Sequence, residues 1–297
     1  MPNQYENEAN LEAHIRTTGP EIWRQTEGKV THFVAGLGTC GTITGNGRYL
    51  KAKNPGIQVI GVHPSEGHDI PGVRSLKQLE LTKLFLPNEY DALVEVGDGE
   101  AFDMCLRLNR EESMIAGPSS AMALVGALKV IEDQPDAVVV IIFPDNSFKY
   151  ASTFERHFPE MRAARPGGGA ATGEISPNEQ LFSMLVENSR NAHNTCEVDD
   201  LRADLESDVP PVVLDVRDEE LYDIKHVTGA LNIPVEELGA RQAELPDQIE
   251  HPIVTVCTRG NLSLRGMLVL QSLGYRNVRS LNGGTLAWAD QGLPING

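Results

Sequence analysis

Cys257-Thr258-Arg259-Gly260-Asn261-Leu262 lies between an apolar run, Pro252 to Val256, and a helix-like stretch that starts at Ser263. A thiol at the end of a strand, in a short loop whose amides can all face inward, is placed to become an anion. The helix behind it offers unpaired N–H groups and the positive end of its dipole, and both favour the thiolate. Cys257 is therefore a candidate nucleophile, with Thr258, Arg259, Gly260, Asn261, Leu262 and Ser263 as the loop that holds it and any bound anion. The alternative role of a cysteine, a small buried hydrophobe, fits poorly with the glycine and the polar residues beside it.

The elements that must position this loop are legible upstream. Val212-Val213-Leu214-Asp215-Val216-Arg217 reads as a buried strand ending in a charged pair. Asp218 to Lys225 is acidic and helix-like, and His226 to Pro234 is a turn leading into a further strand. Alternation at this spacing implies an α/β fold with a parallel sheet, whose chemistry sits beyond the carboxyl ends of its strands. Asp215 and Arg217 are expected to pair with each other and support the loop rather than to react, because buried charges persist when partnered. His226 reads as a satisfied turn histidine, and Trp288 as packing at the domain edge.

The order Leu214-Asp-Val-Arg217, His226…Gly229-Ala-Leu-Asn-Ile-Pro234, Cys257-x-x-Gly260-Asn-x-Ser263 and Gly283-Gly284…Ala287-Trp288…Gly292-Leu-Pro294 resembles a rhodanese domain across nearly all of residues 195–297. The resemblance implies that Cys257 takes a sulfane sulfur from a small donor, carries it as a persulfide and passes it to an acceptor thiol or other nucleophile. The six-residue loop matches sulfurtransferases, whereas the related dual-specificity phosphatases use seven, which disfavours a phosphatase or arsenate reductase. One departure is Leu262, where many members carry Arg. It weakens the case for tight binding of a dianion such as thiosulfate, with Arg259 as a partial substitute, and it keeps open a non-enzymatic sulfur-relay or regulatory module.

A second chemical feature lies in the first half, Val34-Ala-Gly-Leu-Gly-Thr-Cys-Gly-Thr-Ile-Thr-Gly45, between strand-like Thr31-His32-Phe33 and a helical pattern through Leu50. A glycine-rich strand-to-helix turn exposes amides, and threonine hydroxyls add donors, so the turn can cradle a phosphate. Taken with Asn3 to Asn10, His14 to Trp23, Ala116-Gly-Pro-Ser-Ser-Ala121 and Pro144-Asp-Asn-Ser-Phe-Lys-Tyr150, it resembles the C-terminal half of the cysteine synthase and cystathionine β-synthase family, fold-type-II enzymes that use pyridoxal 5'-phosphate. The resemblance implies that Gly38, Thr39, Cys40, Gly41 and Thr42 hold the cofactor phosphate. It places Asp145 or Asn146 beside the pyridine nitrogen, where a neutral residue suits β-replacement and a charged one makes a stronger electron sink. Cys40 stands where glycine is common, which is tolerable at negative φ, and packing is the better expectation for its thiol.

The family's Schiff-base lysine lies upstream of the segment with which this chain starts, and none of the eight lysines (29, 51, 53, 77, 83, 129, 149 and 225) has a comparable context. The expectation is that the chain alone is not a competent cysteine synthase: a fragment, half of a split enzyme, or a remnant scaffold. A missing N-terminal half or a homodimer partner would then cover the surface left open.

Bulk properties agree with two α/β domains. At 297 residues the chain should hold about two domains. Arg162 to Gly173, rich in Gly, Ala and Pro, reads as a linker, and Ser176-Pro-Asn-Glu179 has capping-box spacing that starts a short connecting helix. The expected division is 1–160 for the cysteine-synthase-like part, 161–194 for linker and helix, and 195–297 for the rhodanese part. A net charge of −17 argues against nucleic-acid or anionic-membrane partners and favours a cytoplasmic protein. The four cysteines form no CxxC pair, so neither a disulfide framework nor a metal site is suggested.

Overall fold

The computed structural model describes residues 3–131, 135–159 and 176–297; the glycine-rich linker lies outside them. The chain divides into two compact units, Met1–Leu106 with Ala116–Ala163, and Arg107–Ile115 with Ala164–Gly297.

In the first unit the elements run α1 (Ala9–Arg16), α2 (Thr18–Gln25), β1 (His32–Gly36), α3 (Gly41–Lys53), β2 (Gln58–Pro64), α4 (Leu76–Leu79), β3 (Ala92–Val96), α5 (Asp98–Glu112, of which the part from Arg107 on belongs to the second unit), α6 (Pro118–Val130), β4 (Val139–Ile141) and α7 (Ala151–His157). The strands form a parallel sheet of order β3-β2-β1-β4. Phe33, Val34 and Ala35 are consecutive and all buried, the continuous apolar pattern of a parallel strand covered on both faces. Phe33, Leu37, Ile43, Leu50 and Ile57 lead the core on one side. Burying each such side chain contributes about 1.5–3 kcal/mol, which fixes where β1 ends and α3 begins. The glycine-rich turn occupies that junction.

The second unit contains α8 (Pro177–Asn188), β5 (Thr195–Cys196), α9 (Val198–Leu205), β6 (Val212–Asp215), α10 (Glu219–Ile224), β7 (His226–Val227), β8 (Leu231–Asn232), β9 (Ile253–Val256), α11 (Asn261–Ser272), β10 (Val278–Leu281), α12 (Gly284–Asp290) and β11 (Ile295–Asn296). Its main sheet is parallel, of order β5-β10-β9-β6-β8, so β9 is central. Ile253 faces one core cluster while Val254 and Val256 face the other. This two-residue alternation puts Cys257 on the α11 side. Thr255, fully buried, is satisfied by donating to the carbonyls of Ser263 at 2.8 Å and Arg279 at 3.2 Å, which ties β9 to α11 and β10.

Helix α8 begins as its sequence predicts: Ser176 and Glu179 form a reciprocal capping box with Pro177 at the first helical position. It is more than a connector. Leu181 and Leu185 are buried, Val186 packs on the α11-side core, and the Arg265 guanidinium sits 5.1 Å from the Phe182 ring.

Candidate functional site

Cys257 follows the last residue of β9, and the chain turns back into α11 within a few residues. The turn is possible because Gly260 adopts φ +91°, a conformation that costs other residues about 1–2 kcal/mol. This places the Gly260 N–H 3.2 Å from the Cys257 Sγ, as donor to the sulfur. The Ser263 hydroxyl lies 3.4 Å from the same sulfur and accepts a 2.8 Å hydrogen bond from Ser280. The sulfur thus sits in front of the N-terminus of a twelve-residue helix, among groups that stabilise negative charge. Only 3% of the Cys257 surface is open to solvent.

The loop is held from behind by α12. The Thr285 N–H donates to the Cys257 carbonyl at 2.8 Å, and the Leu286 N–H to the Thr258 carbonyl at 3.2 Å. A Cβ on Gly284, whose φ is +59°, would come 2.0 Å from that Cys257 carbonyl oxygen. Gly284→Ala is therefore expected to cost on the order of 3 kcal/mol through backbone strain and overpacking and to displace the loop. A urea midpoint like that of the parent chain would contradict this.

Asp215, fully buried at the end of β6, receives the Arg217 guanidinium through Nε at 2.9 Å and Nη2 at 2.5 Å, and the Arg217 N–H at 3.1 Å. Arg217 also donates to the Lys225 carbonyl at 2.7 Å and reaches the Thr258 hydroxyl at 3.5 Å. Its guanidinium thereby links β6 to the active loop. Asn232, which site reasoning on the sequence passed over, donates to the carbonyls of both Asp215 and Arg217, at 3.0 and 2.8 Å. His226 stacks on Tyr222 and donates from Nδ1 to the Tyr222 carbonyl at 2.8 Å. Trp288 is buried, its indole N–H on the Pro294 carbonyl at 3.0 Å. Of the loop residues, Leu262 packs against the core, while Thr258 is half-buried and Arg259 and Asn261 are exposed.

The remaining thiols are buried too. Burial pushes the Cys40 thiol up to about 12 and the Cys196 thiol up to about 11, and raises Cys105 further, with the Asp145 charge adding to it. These groups keep their proton in the folded chain where the unfolded chain, at about 8.5, would lose it. Their contribution to stability is complete below that ordinary value and is lost as pH climbs toward 11–12. Native-state alkylation near pH 8 is therefore expected to leave Cys40, Cys105 and Cys196 unlabelled. Labelling of any of them before unfolding would contradict it.

In the first unit, a cavity of about 520 Å³ opens at the β1–α3 junction, and its wall includes Gly38, Thr39, Cys40 and Thr42 with Arg74 and Ser119. Cys40 departs from expectation: its φ is +66°, not negative, at the residue that caps α3. The turn needs a left-handed residue there to swing the first amides of α3 toward the cavity, and Cys40 adopts that conformation while its side chain stays in the core. Gly41 lies behind the wall, where a Cβ would fall 2.1 Å from the Asn10 side chain. Asn10 donates to the Thr39 hydroxyl at 3.2 Å, and the Thr42 hydroxyl meets His14 at 3.2 Å. A Cβ on Gly38 would stand 2.6 Å from the Gly72 carbonyl, so position 38 admits no side chain. Helix N-terminus, hydroxyls and the Arg74 cation together fit a phosphate monoester.

Asp145 and Asn146 are not among the residues forming the cavity wall, where Pro144 is. The Asp145 carboxylate accepts from the Tyr150 hydroxyl with its other oxygen buried and unpaired, and the Asn146 side chain accepts from the Phe148 N–H at 3.1 Å. Among the described residues no lysine lines the cavity; Lys29, Lys51, Lys83 and Lys129 pair with carboxylates elsewhere. Among the described residues there is no helix long and apolar enough to cross a membrane, and no group of three or more His, Cys, Asp or Glu that could hold a metal ion.

Residues 1–145 match the family described as pyridoxal-phosphate dependent enzyme, and residues 197–291 match the rhodanese-like domain. The chain is 43% identical over 151 residues to cysteine synthase B of Pseudomonas aeruginosa, covering 51% of this chain and 50% of that protein. It is 39% identical over 161 residues to cysteine synthase B of Escherichia coli, covering 53% of each. A solved O-acetylserine-dependent cystathionine β-synthase from Helicobacter pylori aligns at 34% identity and TM-score 0.46, over 51% of this chain and 52% of that one. The chain spans about half the length of the curated relatives it matches. Segments of the chain thus match, in order, the pyridoxal-phosphate dependent enzyme family and the rhodanese-like domain, and the first segment is similar to cysteine synthase B.

Proposed function

We propose that the chain is a rhodanese-type sulfurtransferase of sulfur and cysteine metabolism, with Cys257 as its nucleophile. The observation that carries this reading is the Cys257 sulfur at the carboxyl end of β9, contacted by the Gly260 N–H and the Ser263 hydroxyl in front of α11. With thiosulfate, the Cys257 thiolate attacks the sulfane sulfur, the S–S bond of the donor breaks and its electron pair leaves on sulfite, giving a Cys257 persulfide. An acceptor such as cyanide or a thiolate then attacks the outer sulfur and restores the thiolate. The amides from Thr258 to Ser263 favour thiolate and persulfide alike, and Arg217, held by Asp215, keeps Thr258 in place. Thiocyanate formation from thiosulfate or 3-mercaptopyruvate with cyanide tests the reading, and turnover with neither donor would overturn it.

A second reading rests on the cavity of the first unit. Gly38, Thr39, Cys40, Gly41 and Thr42 would hold the phosphate of pyridoxal 5'-phosphate, with the α3 amides and Arg74 matching its charge. When bound, that cofactor supplies the electron sink for β-replacement. Among the described residues the wall carries no lysine to bind it covalently, so this reading requires a complementary lysine-bearing half, and the completed site would use the sulfide that a thiol reductant releases from the Cys257 persulfide, the thiol itself being oxidised to a disulfide. Mixing the chain with the amino-terminal half of a cysteine synthase B should produce the cofactor's visible absorbance band. Failure of that band to form would count against this reading and leave the sulfurtransferase reading intact.

A further inference from the structure

The loop around Cys257 has the geometry to hold an anion, and the cations near it differ in how free their charge is. Leu262 is packed on the core. The Arg217 charge is taken up by Asp215 in a buried pair, with side chains 6% and 0% exposed. Arg259 is exposed on the loop. One further guanidinium reaches the loop, from a residue 71 positions before its contact: Arg190 Nη2 donates to the Asn261 Oδ1 at 2.8 Å, at the first residue of α11.

Arg190 is held there by structure rather than by chance. It follows α8, whose Leu181 and Leu185 are buried and whose last turn is closed by Ser189, itself fully buried. The Ser189 hydroxyl donates to the Val186 carbonyl at 2.9 Å. Competition for its charge is weak: Glu187 lies 3.8 Å away and is 76% exposed, a pair that solvent screens. The Arg190 side chain is 40% exposed, so its guanidinium is both fixed to the loop and open to an incoming ligand.

We propose that Arg190 is the specificity-determining cation of this sulfurtransferase site, selecting donors that carry an anionic leaving group, such as the sulfonate of thiosulfate. It takes over, from outside the loop, the role that Leu262 cannot perform, and Arg259 adds to the same field. On this reading α8 contributes to the sulfurtransferase site. The inference rests on the sulfurtransferase reading, yet it can be tested apart from turnover, because an alkylating reagent of either charge reports the field at Cys257. Iodoacetate and iodoacetamide both form a thioether with the Cys257 thiolate and release iodide; they differ in charge.

The experiment measures both rate constants at Cys257, by peptide mass spectrometry at one pH, in the parent chain, Arg190→Ala and Arg190→Lys. Arg190→Ala is expected to lower the iodoacetate-to-iodoacetamide ratio about tenfold at low ionic strength, and the difference should largely vanish near 1 M salt. Arg190→Lys should keep most of the parent ratio, which a purely structural role would not predict. In parallel, KM for thiosulfate should rise about tenfold in Arg190→Ala with a smaller change in kcat. An unchanged ratio, an equal fall of both rates, or failure of either reagent to reach Cys257 in the parent chain would overturn the proposal. Absence of sulfur transfer with a normal shift in the ratio would instead overturn the sulfurtransferase reading alone.

Discussion

Cys257→Ser is expected to lower sulfur transfer from thiosulfate by about 10³-fold or more, while the chain stays folded. Serine is nearly isosteric, and its oxygen can accept from the Gly260 N–H and pair with Ser263 as the sulfur does. What is lost is the sulfur nucleophile and its capacity to carry a second sulfur. Thiocyanate formation measured beside a urea unfolding curve checks both halves of the statement. Residual activity within tenfold of the parent would mean that another group carries the sulfur. The loss with serine separates a nucleophile from a cysteine that only packs, because a packing residue replaced by an isostere leaves activity largely unchanged.

Asp215→Asn carries the second large effect. The carboxylate has no exposed surface and holds a guanidinium whose side chain is 6% exposed. Removing one charge leaves the other buried without compensation, a loss of about 3–5 kcal/mol. Unfolding followed through Trp288 fluorescence, in a Trp23→Phe background, reads the second unit directly. The double variant Asp215→Leu with Arg217→Met should recover much of that stability, since apolar replacement of a buried pair is often close to neutral. It should still transfer sulfur poorly, because the links from Arg217 to the Lys225 carbonyl and the Thr258 hydroxyl are gone. Recovery of both stability and turnover would show that the pair has no part in positioning the loop.

Much of the second unit was legible because its signals are local. The apolar runs before Asp215 and Cys257 become adjacent parallel strands, and the capping box at Ser176 starts α8 where its spacing says it should. Gly283 and Gly284 show their reason only in three dimensions: a Cβ on Gly284 would strike the Cys257 carbonyl, and one on Gly283 the Ala287 side chain. The left-handed Cys40 was not legible: nothing local distinguishes it from a residue of negative φ, and the conformation is imposed by the strand-to-helix turn and the core that holds its side chain. Arg190 was hidden for a different reason. Its contact with Asn261 joins segments brought together only by the packing of α8 on α11, and no spacing rule spans that distance.

The segment Pro144 to Ser147 was expected beside a pyridine nitrogen, with Asp145 or Asn146 facing it; the Asp145 carboxylate is engaged with Tyr150, and the Asn146 side chain caps the turn that follows it. Burial, then the Asp145 partner, pushes the Tyr150 hydroxyl up to about 12, so this tyrosine remains a donor throughout the physiological range. The cavity wall includes Gly38, Thr39, Cys40 and Thr42 with Arg74 and Ser119.

Mass spectrometry of the peptide containing Cys257, after the chain meets thiosulfate and again after cyanide is added, tests the role of Cys257 as sulfur carrier most directly. The expected result is a gain of one sulfur atom at Cys257 alone, removed by cyanide with equivalent thiocyanate formed. An unmodified Cys257 in a chain that still turns over thiosulfate, or a stable added sulfur that no acceptor removes, would contradict it.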